Sequence, residues 1–159
     1  MIWLFAVLST FAWGAPEQPL KDRVVKALTL RDGGPACEVM QTWGSDSEVA
    51  SVMREITETV SMPPWVPMRA AQCVVNDAKT DARSYALIEG WMSDTNTTGF
   101  ALLVMQNVDR FEANRAQSLA ELAVKRAVVE PRFGRLVQRT MDRSRHTAVV
   151  EHSKKLPAQ

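Results

Sequence analysis

Histidine, paired cysteine motifs, glycine loops and long apolar runs are all scarce in this chain, and each shortage removes a class of chemistry. There are two histidines, His146 and His152, six positions apart near the end of the 159 residues. A structural zinc site needs four fixed ligands, so no metal is expected. There is no H-E-x-x-H, no G-x-S-x-G and no phosphate-binding glycine loop. Asp32-Gly33-Gly34-Pro35 reads as a helix stop followed by a helix start. Cys37 and Cys73 form no C-x-x-C redox motif. No stretch approaches the roughly 20 apolar residues that a bilayer-spanning helix requires. The net charge is +1, too small to mark a nucleic-acid binder by its field. Neither a cofactor nor a catalytic residue is assigned, and the chain is not expected to be an enzyme.

What is present describes a globular protein with an export address. Hydrophobic residues make up 46% and charged residues 23%, which argues for one folded domain and against disorder. Met1 to Gly14 carries no charged side chain, and Ile2 to Leu8 is a short apolar core. Ala12-Trp13-Gly14 then places small residues before a cut at Ala15. Residues 1–14 are therefore expected to be a signal peptide, a buried first helix being the alternative. That puts the protein outside the cytoplasm, periplasmic or secreted. In such a compartment Cys37 and Cys73 are expected to form a disulfide, the alternative being two buried thiols. Closing a loop of 36 positions stabilises a fold by about 4 kcal/mol on the chain-entropy model.

The pattern beyond the leader is helical, with almost no strand signal. Leu20, Val24, Ala27 and Leu28 keep a helical period. Pro35 suits the first turn of a second helix bearing Ala36, Val39, Met40 and Trp43. Ser45-Asp46-Ser47-Glu48 is a capping box that opens a third, with Val49, Val52, Met53 and Ile56 inward. Pro63-Pro64 separates it from a helix through Val75. Thr80 or Asp81 caps the next, which carries Leu87, Ile88 and Trp91. Phe100 to Phe111 is apolar nearly all round and is expected to lie centrally. Ala116, Leu119, Ala120, Ala123 and Ala127 make a stripe of small residues. Glu130-Pro131 starts a last helix with Phe133, Leu136, Val137, Thr140 and Met141 inward. Trp43, Trp65 and Trp91, and Met40, Met53, Met68, Met92 and Met105, are expected in the core, the alternatives being an exposed binding platform for the tryptophans and an adaptable binding groove for the methionines. Residues 145–159 are expected to be a flexible tail.

Three helix starts recur: Met68-Arg69-Ala70-Ala71, Gly99-Phe100-Ala101-Leu102 and, more weakly, Arg132-Phe133-Gly134-Arg135. Ala71 and Leu102 are 31 positions apart, and Leu102 and Arg135 are 33 apart. Such a period points to stacked helical hairpins that cannot bury their apolar faces singly. With a Pro-bearing turn before Met68, the pairs 46–78, 80–111 and 112–144 resemble HEAT-type repeats. The resemblance implies an all-α fold, a short α-solenoid of stacked antiparallel helix pairs, over residues 46–144. Residues 15–45 would then be capping helices. It also implies a module that binds other proteins and carries no catalytic residues of its own.

Charge is unevenly spread. Residues 1–110 hold 9 basic and 13 acidic side chains, and residues 111–159 hold 10 and 5. Arg132, Arg135, Arg139 and Arg143 fall at i, i+3, i+7 and i+11, on one face of the last helix, with Lys125, Arg126 and Arg145 nearby. This stripe is the candidate partner-binding surface, its guanidinium forks suited to carboxylates or phosphates. An acidic protein, a phosphate-rich lipid head group and the acidic front of another copy each match it; a solvated polar face is the plain alternative. The function expected is a non-catalytic exported interaction module or adaptor. The alternative is a small inhibitor or immunity-type protein that blocks an enzyme. Asn96-Thr97-Thr98 also matches the glycosylation acceptor pattern, which matters in a eukaryotic host.

Overall fold

The computed structural model describes residues 18–59 and 61–157. The expected signal segment, residues 1–14, lies outside them. The described residues form nine α-helices and two 3-10 turns, and no strand. In order they are α1 (Leu20–Thr29), α2 (Cys37–Gln41), α3 (Asp46–Thr57), α4 (Trp65–Asp77), α5 (Ala82–Ser93), α6 (Thr98–Gln106), α7 (Ala113–Val129), α8 (Pro131–Asp142) and α9 (Thr147–Ser153). No helix among them is long and apolar enough to cross a membrane.

The local signals act where they were read. Ser45 caps α3 in a capping box with Glu48. The Glu48 carboxylate accepts from the Ser45 backbone N–H at 3.0 Å and from its hydroxyl at 2.6 Å. These bonds hold the carboxyl below its ordinary pKa, the hydroxyl contributing most. Asp81 caps α5 by accepting from the Ser84 N–H at 2.7 Å. Cys37 and Cys73 are joined, with Cα atoms 5.4 Å apart, so the five-residue α2 is fastened to α4.

Packing follows the helix order. α3 packs on α4, α5 on α6 and α7 on α8. α5 also meets α3 and α7, while α6 meets α4 and α8. The three recurrent segments fall in α4, α6 and α8. α6 touches α4, α5, α7 and α8, which is the central place its apolar sequence implies. The apolar run is not one helix, however. It breaks at Asn107, whose amide donates to the Leu103 carbonyl at 2.9 Å, before a 3-10 turn over Val108–Arg110. The alanine stripe of α7 is wholly buried, and it lets α8 approach closely. A Cβ on Gly134 would stand 2.9 Å from that of Ala127. Gly134→Ala is therefore expected to lower stability by about 1 kcal/mol, overpacking outweighing the better helix propensity of Ala. A raised melting temperature would show instead that α7 and α8 separate freely.

Four sequence expectations are corrected. Residues 145–159 are not simply a tail: Thr147–Ser153 is α9, packed on α7 and α8 with Val149 buried. Ser153 donates to Asp142 Oδ1 at 2.6 Å, and Leu156 packs against the core. Leu136 faces outward, because the packed stripe of α8 runs through Phe133, Gly134, Val137 and Met141. Met68 and Trp65 are partly exposed at the start of α4, with the Arg31 guanidinium 5.7 Å from the Trp65 ring. Arg126, counted with the surface cations, is buried.

Arg126 belongs to a set of three arginines that close the ends of other helices. Arg69 donates to the carbonyls of Leu28 at 3.0 Å, Leu30, and Arg31 at 3.3 Å, in the last turn of α1 and just past it. Arg115 donates to those of Ala78 at 2.6 Å and Lys79 at 3.0 Å, past the end of α4. Arg126 donates to those of Trp91 at 2.7 Å and Asp94 at 2.8 Å, at the end of α5. The last carbonyls of a helix lack intrahelical partners and carry its negative dipole end, so a cation from a neighbouring helix answers both.

Candidate functional site

α8 presents its packed stripe to the core and leaves the opposite face open. Arg132, Arg135 and Arg139 lie on that face, and Arg143 is the C-cap residue just beyond it. All four are exposed, and among the described residues none has a hydrogen-bond or ion-pair partner. Leu136 stands among them, 52% exposed. At the α7–α8 corner, Val128 and Val129 are 68% and 71% exposed. Lys125 is exposed one turn earlier on the same side of α7. The site is thus a basic helix face with an apolar centre. Scattered surface leucines are ordinary; this one sits among four unpaired guanidinium groups.

The structure brings together the four arginines the spacing singled out, keeps Lys125 with them, and adds Leu136, Val128 and Val129. It removes Arg126. The two valines carried a readable signal, since they fall outside the Ala116-Ala120-Ala123-Ala127 stripe. Arg145 is exposed, its backbone N–H donating to Asp109 Oδ1 at 3.2 Å. His146 caps α9 through its main chain, and His152 Nδ1 lies 2.7 Å from the Ala148 carbonyl. Among the described residues no group of three or more His, Cys, Asp or Glu is placed to hold a metal.

A second polar region lies at the other end of the chain. A groove of about 540 Å³ is lined by Asp46, Arg54, Asp77, Thr80, Asp81 and Arg83, among others. A smaller one of about 270 Å³ shares Gln41, Asp77 and Thr80 with it. Its charges largely answer one another. Arg54 donates to Asp81 at 3.2 Å and to the Ser84 hydroxyl at 3.1 Å, and Gln41 donates to Asp77 at 3.0 Å. These bonds stitch α2, α3, α4 and the start of α5 together. Burial, and then the Asp81 charge, push the Asp77 carboxyl above its ordinary range, so ionising it weighs slightly against the fold. Asp81 is held low, chiefly by the Ser84 N–H. The α8 face has no such internal partners, which makes it the better candidate for a surface used by something else.

Compared with protein-family models, curated proteins and solved structures, the chain matches none.

Proposed function

We propose that this chain is an exported, non-catalytic interaction module, a short HEAT-like α-solenoid whose α8 face receives an acidic partner protein. The observation that carries the reading is the set of four unpaired arginines around exposed Leu136 on one rigid helix. Pairing of α3 with α4, α5 with α6 and α7 with α8, and contact between successive pairs, support the solenoid. The Cys37–Cys73 bridge supports an oxidising compartment, and with it export. Arginine is suited to the role because its fork pairs a carboxylate at two points.

The test replaces Arg132, Arg135, Arg139 and Arg143 together with Gln, which keeps helix propensity and removes the charge. Thermal stability is expected to change little, since each exposed charge contributes about 0–1 kcal/mol. Capture of a partner from the native extracytoplasmic fraction is expected to fall at least tenfold. Capture by the wild-type chain is expected to weaken with salt as the Debye length shrinks from about 10 Å at 0.1 M to about 3 Å at 1 M. Undiminished capture by the quadruple variant would return the face to a solvating role.

A further inference from the structure

Resting on that reading, we infer that the partner of the α8 face is the α3 face of a second copy of this chain, so that copies associate head to tail. The argument is charge complementarity between two helices at opposite ends of the helix order. α3 packs on α1, α2, α4 and α5, and α8 packs on α6, α7 and α9. Glu48, Ser51, Glu55 and Glu58 are all exposed along one stripe of α3, Glu58 being its C-cap. The stripe carries three carboxylates and no cation of its own helix, the mirror of the α8 stripe.

The spacings agree in an antiparallel register. Glu48 to Glu58 spans about 15 Å along α3, and Arg132 to Arg143 about 16 Å along α8 and its cap, at 1.5 Å per residue. With Glu58 opposite Arg132, Glu55 falls opposite Arg135, Ser51 opposite Arg139, and Glu48 beside Arg143. Leu136 then lies toward half-buried Val52. Two of the carboxylates have neighbours already: Glu55 with Lys21 at 2.6 Å, and Glu48 with the Ser45 hydroxyl at 2.6 Å. Both contacts are at the surface, where an incoming guanidinium competes directly. α3 and α8 are different patches, so the contact is heterologous. It leaves one free face of each kind on every dimer and continues into a ring or an open chain.

Sedimentation velocity of the purified full chain reads this directly. At about 50 mM salt the mean mass is expected to rise above the monomer with concentration, and at about 1 M salt to return to it. Arg135→Glu with Arg139→Glu, and separately Glu55→Arg with Glu58→Arg, are each expected to weaken association at least tenfold while circular dichroism stays helical. Mixing those two variants sets the unaltered α3 face of the first against the unaltered α8 face of the second and is expected to restore association, as one heterologous contact per pair. A wild-type chain that stays monomeric at low salt would overturn the inference, as would association that survives the α3 variant. A monomer whose partner capture still depends on the α8 arginines leaves the interaction reading standing and this one fallen. Indifference of both capture and mass to those arginines removes both. Arginine-dependent co-sedimentation of a monomeric chain with phosphatidylglycerol vesicles would overturn the inference and give the face to a lipid surface.

Discussion

Arg126→Ala is expected to lower stability by about 3–5 kcal/mol, the cost of breaking a buried ion pair from one side. Arg126 is 3% exposed. Its Nε is 2.8 Å from Glu130 Oε2, and its Nη2 donates to the Thr98 hydroxyl at 3.0 Å. Nη1 serves the carbonyls of Trp91 and Asp94, and the guanidinium lies 4.8 Å from the Phe133 ring centre. Thr98 also donates to Glu130 Oε1 at 2.9 Å, so the start of α6 and the α7–α8 junction meet at one group. Truncation strands a half-buried carboxylate and leaves the Trp91 and Asp94 carbonyls only their bonds from Thr97. The melting temperature is expected to fall by about 10–20 °C. Arg126→Lys restores the charge but not the fork, and is expected to recover less than half of the loss. A fall under about 3 °C in the alanine variant would mean that water replaces these bonds at little cost.

Replacing both Cys37 and Cys73 with Ala is expected to cost about 4 kcal/mol, because a loop of 36 positions is released in the unfolded chain. Total stabilities of such domains are about 5–15 kcal/mol, so the change decides whether the amino-terminal helices stay docked. The effect should concentrate there. α2 has only five residues, too few to hold as an isolated helix, and the bridge fastens it to α4. Hydrogen exchange is expected to rise first over Cys37–Gln41, with protection in α7 and α8 retained. The denaturant midpoint should fall in parallel, and by the same amount when the wild type is reduced. An unchanged midpoint would refute the bridge as a stabiliser. Two titratable thiols per chain under denaturing, non-reducing conditions would refute the bridge itself.

The helices were legible where an apolar stripe and a cap coincide, as at Ser45-Glu48 before Val49 and at Glu130-Pro131 before Phe133. α9 was not, because seven residues with one buried apolar side chain, Val149, give no period to read. Leu136 was misplaced for a related reason. A stripe through Phe133, Val137 and Met141 is compatible with either flank, and Gly134, a residue with no apolar side chain, occupies the packed side. Arg126 was grouped with Lys125 and the α8 arginines because composition records charge and not depth. Its burial depends on five acceptors, four of which lie more than 25 positions away in the sequence. The arginine stripe itself was readable from spacing alone, since a helix converts i, i+3, i+7 and i+11 into one face.

By itself the sequence determined the helical class, the starts of α3 and α8, the single possible cysteine pairing and the alignment of Arg132, Arg135, Arg139 and Arg143. All of these follow from local rules: the 3.6-residue period, capping chemistry, proline sterics and the count of two cysteines. Only the tertiary structure decided which arginines are surface and which are internal caps. Arg69, Arg115 and Arg126 reach carbonyls 32 to 41 positions away and so become part of the core's edge. Among the described residues Arg132, Arg135, Arg139 and Arg143 make no such bond, and all four stay exposed. The physical reason is that a guanidinium's fate depends on what the neighbouring helix places opposite it. That is a property of packing between distant segments, which no local pattern contains.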